Sequence, residues 1–389
     1  MKTLGILFGG RSVEHEVSVI TAMQIIENMD KTLYRPVAIY VNKEGEWLTG
    51  ESLLDFENYK NKNFKDAKRI ILSPNHNDGN LYLHPEKSGI FGKKIVETID
   101  IFFPAFHGTN GEDGSAQGLL ELINKPYVGA GVLGSSVGMD KILMKDVYKA
   151  NNIPVVDYIW FYRSEWEEDK DSIINRIENS LGYPVFVKPS NLGSSIGISK
   201  AKNREALEVG LEVAASYDRK IIVEKAVENP REINCAVMGY DNKVEASLCE
   251  EPLGWTEILS FSDKYLRKDG KKTGDSSLNR AIPADLEPAK IAEIEDLAKK
   301  AFTVIDAKGN ARIDFLLDKD GKVFVNEINT LPGSVAFYLW EGRGYSFKDL
   351  INKMIDIAIV TKEEKDNNMY IYESNLFDKT QFGIKSTKM

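Results

Sequence analysis

Cysteine and histidine are scarce in this chain of 389 residues, with two of the first and four of the second. Cys235 and Cys249 cannot staple a chain of this length, and no Cys/His spacing suits zinc. So little cysteine fits a reducing compartment, and a cytoplasmic location is expected. Nothing beside either thiol marks a lowered pKa, so both are expected to be inert. Long apolar runs are also missing. The first, Leu4 to Phe8, is broken at once by Gly9-Gly10, and no later stretch approaches the roughly eighteen apolar residues of a spanning helix. No membrane association is expected. Cations are in deficit, with 50 Lys plus Arg against 59 Asp plus Glu and a net charge of -9. Such a chain repels nucleic acid as a whole, and any polyanionic ligand needs a local cluster of cations. With 30 Gly, 13 Pro and 42% hydrophobic residues, collagen-like and disordered classes are excluded. At roughly 150 residues per domain, the length predicts two or three domains.

What is present begins as an α/β protein. The strand Leu4 to Phe8 is followed by Val17, Ile20, Met23 and Ile25-Ile26 at helical spacing, then by a strand from Val37 to Val41 with Pro36 at its entry. This is a βαβ unit and predicts an open, mainly parallel Rossmann-like sheet. The polar text from Asn42 to Thr98 reads as excursions, after which Ile99 to Ala105 rejoins the sheet. Further on come a helix after Met139, a strand from Pro184 to Lys188, and an acidic surface stretch from Glu165 to Asp171. A strand from Lys220 to Lys225 opens the last block. It holds a helix with Ile291, Ile294, Leu297, Ala298, Ala301 and Phe302 on one stripe, then two apolar strands around Asp320-Gly321. The Lys/Glu/Asn-rich text beyond Thr361 reads as a loosely held tail.

The Asp320-Gly321 hairpin is the most informative feature. Asp-Gly between alternating runs predicts a two-residue turn. Counting back from Lys319 opposite Lys322 puts Asp314 opposite Glu327 and Arg312 opposite Asn329, all on one face. Facing carboxylates repel unless a cation sits between them. Two carboxylates and an amide oxygen suit Mg²⁺, which leaves its other positions to water and phosphates. A hydrated solvent face is the competing reading.

Lys188-Pro189-Ser190-Asn191-Leu192-Gly193-Ser194-Ser195-Ile196-Gly197 lies between two strands. Its small residues let backbone N–H groups converge on an anion, with Lys188 at the base. It lacks the Walker order, and no helix follows. A plain Ser/Gly hairpin loop accounts for it equally well. Lys141, Glu224-Lys225 and Lys264-Tyr265 would each pass as surface residues when taken singly.

Taken in order, these segments resemble the D-alanine:D-alanine ligases of the ATP-grasp superfamily. The likeness runs through Phe8-Gly9-Gly10-Arg11-Ser12-Val13-Glu14-His15-Glu16-Val17-Ser18, His107-Gly108-Thr109-Asn110-Gly111-Glu112-Asp113-Gly114 and Met139-Asp140-Lys141. It continues through Lys188 to Gly197, Lys264-Tyr265, Ile282-Pro283-Ala284, Arg312-Ile313-Asp314-Phe315 and Asn326-Glu327-Ile328-Asn329-Thr330-Leu331-Pro332-Gly333. The resemblance implies a three-domain ATP-grasp fold, α/β at first and α+β toward the C-terminus. Its domains would be 1–130, 131–218 and 219–361, followed by the tail 362–389. It implies that Lys141, Lys188, Glu224, Lys225, Val227 and Glu232 hold ATP, with Lys264 near the terminal phosphate. Asp314, Glu327 and Asn329 would bind Mg²⁺ or Mn²⁺, two ions in all. Glu14 would receive the first substrate's ammonium, with His107 near its carboxylate. Ser194 and Tyr265 would join Glu14 in a network around the attacking amine, and Arg312 and the Gly333 N–H would steady the oxyanion. The polar loop from Lys264 to Ser277 reads as a lid, with plain solvated charges an equal reading of its Lys268, Lys271 and Lys272. Two D-alanines and ATP are the implied substrates, peptidoglycan precursor synthesis the implied role, and a homodimer the implied assembly.

Read without the resemblance, Glu14 and Ser18 are a helix-dipole partner and a cap, and His107 is a core histidine. The sequence departs from the family after Gly333, where Tyr338 stands in place of a serine that helps hold the second substrate's carboxylate. Ser334 or Tyr338 is left to donate there. Lys264-Tyr265 argues for the dipeptide-forming branch. The alternatives are a ligase using another acceptor and a nucleotide-binding protein without catalysis.

Overall fold

The computed structural model describes residues 1–84, 94–253 and 280–374. The expected βαβ unit is β1 (Lys2–Gly9), α1 (His15–Asn28) and β2 (Tyr34–Val41), with the two strands paired in parallel. Every residue of β1 from Leu4 onward is buried. Covered on both faces, a parallel strand carries an unbroken apolar run instead of an alternation. At its end, Gly9 (φ +91°) approaches β2 so closely that a Cβ would stand 2.2 Å from the Val41 carbonyl oxygen, a position only glycine tolerates. Pro36 lies inside β2 instead of at its entry. It is accommodated because the strand on the side of β2 away from β1 pairs only with Tyr40 and Val41.

β3 (Trp47–Thr49), the short α2 (Phe56–Asn61), β4 (Lys68–Leu72), β5 (Asn80–Leu83) and β6 (Ile95–Thr98) follow. β7 (Ile101–Pro104) returns beside β1. The strand order is β6-β5-β4-β3-β2-β1-β7. The expectation of a mainly parallel sheet is corrected here. Only β2-β1-β7 is parallel, and the segment read as excursions supplies antiparallel strands β3 to β6. These strands are short and partly solvated, so their polar residues hide the strand signal.

α3 (Ser115–Ile123), α4 (Gly131–Met139) and α5 (Lys141–Ala150) lead to a second sheet. It is built from β8 (Tyr158–Tyr162), β9 (Val185–Pro189), β10 (Ser199–Ala201) and β11 (Lys220–Lys225), all antiparallel, in the order β10-β9-β11-β8. α6 (Arg163–Glu168), α7 (Lys170–Ser180) and α8 (Arg204–Tyr217) cover it through Trp166, Ile173, Ile177, Leu207 and Leu211. The acidic stretch is the outer surface of α6 and the start of α7.

The third sheet holds β12 (Arg231–Tyr240), β13 (Lys243–Pro252), β14 (Arg280–Ala281), β15 (Gly309–Leu317) and β16 (Val323–Asn329), in the order β14-β13-β12-β15-β16. α9 (Pro288–Val304) buries Ile294, Ala298, Ala301 and Phe302 against one face. Each large side chain buried there contributes roughly 1.5–3 kcal/mol. Cys235 and Cys249 face each other across β12 and β13 in this core. Their mutual hydrogen bond and burial push the Cys235 thiol pKa up, so it stays protonated, as expected. α10 (Phe347–Asp366) joins Ala236 and Met238 of the opposite face to α1 and β1 in one shared core. It runs past Thr361, where a loose tail was expected, and Lys365 pairs with Glu121 of α3.

Candidate active site

The hairpin β15–β16 meets the expectation at its far end by an unexpected route. Asp318 accepts the backbone N–H groups of Asp320 (2.9 Å) and Lys322 (2.8 Å). This draws Lys319 into the loop, and Gly321 takes the left-handed conformation (φ +78°). The turn therefore has three residues, and Leu317 lies opposite Val323. Left uncorrected, that register would put Asp314 opposite Asn326 and turn Glu327 to the other face. A β-bulge intervenes. Phe315 pairs with Val325 and Asp314 pairs with Glu327, with Asn326 as the extra residue. Arg312 then faces Asn329 as predicted.

On this face Arg312 donates to both oxygens of Asp314, from Nε at 2.6 Å and from an Nη at 2.7 Å. Asn329 Nδ2 adds a bond of 3.1 Å. Burial lowers the Arg312 pKa, but the Asp314 carboxylate outweighs it and the net shift is upward. A carboxylate offers about four lone-pair sites, and these three donors leave room for a cation at Asp314. Glu327 stands opposite, with Oε2 3.6 Å from the Lys141 ammonium. Among the described residues no group of three or more His, Cys, Asp or Glu side chains forms a metal cage. Two carboxylates and an amide oxygen instead fit a hard divalent cation that shares its shell with water and phosphates.

The second sheet brings its lysines to the same place. Asp140 caps α5, accepting from the N–H of Ile142 (3.0 Å) and Leu143 (3.2 Å). It also holds Ser190 Oγ (2.8 Å) and the Lys220 ammonium. Lys141 thus begins the helix, its ammonium on the Leu192 carbonyl of the glycine-rich loop at 2.8 Å. Lys188 Nζ donates to Glu224 at 2.7 Å and to Asn326 Oδ1 at 3.4 Å. Burial pushes the Glu224 pKa up, but Lys145 and Lys188 together pull it down to about 2. Glu224 also raises the Lys188 pKa against the effect of burial. The Lys225 ammonium donates instead to the Leu181 carbonyl (2.6 Å), and its backbone N–H to the Asp157 carbonyl (2.8 Å). Val227 follows β11, half-buried, and Glu232, an exposed residue at the start of the otherwise buried β12, lies close enough to raise the Lys188 pKa.

The first sheet closes the cluster. Glu14, buried at the N-terminus of α1, accepts from Ser194 Oγ. Two glycines allow this approach, since a Cβ on Gly108 or Gly193 would stand 2.8 or 3.1 Å from Glu14 Oε2. His107 is buried and bonds Thr21 Oγ1 at 2.9 Å. Burial pushes its pKa down to about 4, so the ring is neutral at pH 7. Ser18 is a bridge instead of a cap, accepting from Gly9 N–H and donating to the Ala105 carbonyl.

Past Gly333 the chain makes a left-handed turn, with φ of +53°, +46° and +50° at Ser334, Val335 and Ala336. The Ser334 N–H reaches Thr21 Oγ1 at 3.4 Å. Tyr338 Oη donates to buried Glu250 at 3.1 Å, and Arg280 stacks over the Tyr338 ring at 4.5 Å while pairing with Glu250 at 3.2 Å. Lys264 and Tyr265, with the expected lid to Ser277, lie outside the described residues. Sequence reasoning missed Lys145, Glu250, Arg280 and Asn326. Of these, Lys145 left a trace, as a lysine on the apolar stripe of Ile142 and Tyr148.

Two family models match the chain, the D-ala D-ala ligase N-terminus over residues 3–130 and the D-ala D-ala ligase C-terminus over residues 147–356. The chain belongs to the D-alanine–D-alanine ligase family. A D-alanine–D-alanine ligase of Thermosipho africanus is 43% identical over 379 residues, covering 97% of this chain and 99% of its own. One of Heliobacterium modesticaldum is 39% identical over 372 residues, covering 94% and 97%. Among solved structures, the Coxiella burnetii D-alanine-D-alanine ligase superposes with a TM-score of 0.78 at 29% identity, covering 94% of this chain and 96% of that one. VanG D-Ala:D-Ser ligase of Enterococcus faecalis gives 0.75 at 28%, covering 92% and 99%.

Proposed function

We propose that this site joins two D-alanine molecules with the use of one ATP, through D-alanyl phosphate, and supplies D-alanyl-D-alanine for peptidoglycan precursors. The observation that carries the reading is Glu327 set between Asp314 across the ladder and the Lys141 ammonium at 3.6 Å. This arrangement suits a phosphate chain with its cation. A free carboxylate is a poor acceptor of an amine, so its oxygen first attacks the terminal phosphorus of ATP and ADP leaves. The second amine then attacks the acyl carbon, the tetrahedral oxyanion collapses, and phosphate departs with the carboxylate oxygen. Mg²⁺ or Mn²⁺, two ions held by Asp314, Glu327 and Asn329, would neutralise the phosphate charge.

The chain's own groups do the rest. Lys141, Lys188, Glu224, Lys225, Val227, Glu232 and Lys264 hold the nucleotide. Glu14 takes the first ammonium, and neutral His107 lies near the first carboxylate. The Glu14–Ser194 pair, with Tyr265, accepts hydrogen bonds from the amine, which must be neutral to attack. Arg312 and the Gly333 N–H stabilise the oxyanion, and a donor of that kind is worth ~3 kcal/mol. We extend the proposal to three domains, 1–130, 131–218 and 219–361, the last continued by α10 to Asp366, and to a cytoplasmic homodimer. Among the described residues no helix is long and apolar enough to cross a membrane.

A second reading, D-alanine joined to another acceptor, is favoured at one point. With Tyr338 tied to Glu250 and stacked under Arg280, that wall is bulkier and more charged than a serine would make it. The test is phosphate release from ATP and Mg²⁺ over a panel of D- and L-amino acids and D-hydroxy acids, with product mass. Release with D-alanine alone is expected. Release only with a different acceptor would select the second reading, and no release with any pair would leave a nucleotide-binding protein without catalysis. Glu327→Gln should abolish release, and full activity in that variant would refute the metal assignment.

A further inference from the structure

Lys145 is a lysine with no exposed surface, and nothing in the ligation chemistry above uses it. Its ammonium lies 3.2 Å from Glu224 Oε1 and 3.2 Å from the backbone carbonyl of Asn326. Burying an ammonium costs several kcal/mol unless it is paired and hydrogen-bonded. An apolar residue would fill the stripe between Ile142 and Tyr148 without that cost.

Its acceptor is the distinctive part. Asn326 is the extra residue of the β16 bulge, and the bulge alone returns Glu327 to the face of Asp314 after the three-residue turn. A bulge residue has lost its ladder partner, so its carbonyl needs another donor. The buried lysine is that donor. Lys188 reaches the same residue from the other side, through Asn326 Oδ1. Glu224 pairs with both ammoniums, Oε1 with Lys145 at 3.2 Å and Oε2 with Lys188 at 2.7 Å. The set spans α5, the second sheet and the third sheet.

We propose that Lys145 is a positioning residue of the ligation site, which holds the Asn326 bulge and thereby sets Glu327 opposite Asp314 for a divalent cation. This rests on the ligase reading of Lys188 and Glu327. It predicts a split between two affinities. Groups that orient metal ligands typically change metal affinity by about 10–100-fold when removed, whereas the Lys188–Glu224 pair that faces the nucleotide remains in a Lys145 variant.

The experiment measures Mn²⁺ binding by electron paramagnetic resonance on the full chain saturated with a non-hydrolysable ATP analogue. Affinity for the analogue without metal is measured separately by calorimetry. Lys145→Met should weaken Mn²⁺ at least about tenfold and the metal-free analogue less than about threefold. Lys145→Gln, which keeps an N–H for the Asn326 carbonyl without a buried charge, should recover most of the Mn²⁺ affinity. Unchanged Mn²⁺ affinity in Lys145→Met would overturn the inference, as would equal losses of both ligands. If Lys145→Met fails to fold, Lys145→Gln still decides, because a tenfold Mn²⁺ loss in that variant means that the hydrogen bond does not set the bulge. A wild-type chain that binds no analogue would instead overturn the ligase reading itself.

Discussion

Asp140 touches no substrate in the scheme above, yet its loss should be among the most damaging single changes to this protein. Its carboxylate accepts two backbone N–H groups at the start of α5, the Ser190 hydroxyl, and the ammonium of Lys220. Asp140 and Lys220 are each 7% exposed, so water does little to screen the pair. Asp140→Ala removes a helix cap, a loss of about 1 kcal/mol. It also leaves a buried ammonium without its partner, which costs about 3–5 kcal/mol. The sum, ~4–6 kcal/mol, rivals the whole stability of many domains. Asp140→Asn keeps the cap and the acceptor for Ser190, so it should lose less. Adding Lys220→Met to Asp140→Ala removes the stranded charge and should recover roughly 2–3 kcal/mol. Urea unfolding followed by circular dichroism measures all four chains. An Asp140→Ala variant within about 1 kcal/mol of wild type, or a double variant no better than the single, would refute the assignment.

Two further outcomes follow from the same geometry. His107 takes up its proton near pH 6.5 when unfolded and only near pH 4 when folded. The unfolded state therefore binds the extra proton in that window, and stability falls as pH drops from about 6.5 to about 4, by up to roughly 3 kcal/mol. His107→Gln should lack this component in pH-dependent unfolding, and an identical pH profile would contradict it. Tyr338→Phe removes a hydrogen bond to buried Glu250, worth about 1 kcal/mol. It should shift the KM of the second amino acid by about fivefold while leaving the KM of ATP unchanged. Steady-state kinetics that move both constants equally would place Tyr338 elsewhere.

What the sequence made legible followed physical signal strength. β1, β2 and β7 lie in a doubly covered sheet, so their apolar runs stand out. β3 to β6 are short and half-solvated, and their polar faces read as loop. The hairpin shows a subtler limit. Asp-Gly suggested a two-residue turn, but the side chain of Asp318, two residues upstream, captured the loop and lengthened it. The pairing of Asp314 with Glu327 was nonetheless foreseen, because the bulge at Asn326 cancels the turn's extra residue. Two departures from ideal geometry offset each other, and neither is visible in hydrophobic periodicity. Lys145 escaped notice for a related reason: a lysine in a helix normally signals solvent. Glu14 and Ser194 could be connected only by resemblance, since their contact depends on how the first and second sheets dock.

The turn at Ser334, Val335 and Ala336 is a piece of mirror-image helix made from ordinary L-residues. Each such residue costs about 1–2 kcal/mol relative to the right-handed form, and the branched Val335 is the least suited of the three. No local preference of this sequence selects that shape. Asn310 imposes it from a distant strand, giving Nδ2–H to the Val335 carbonyl at 2.8 Å while accepting from Trp340 Nε1 at 3.0 Å. The wall that carries Ser334 and Tyr338 is thus a cast whose mould lies in β15. Recutting that wall for a new acceptor would mean working on Asn310 and Trp340, two residues that no substrate touches.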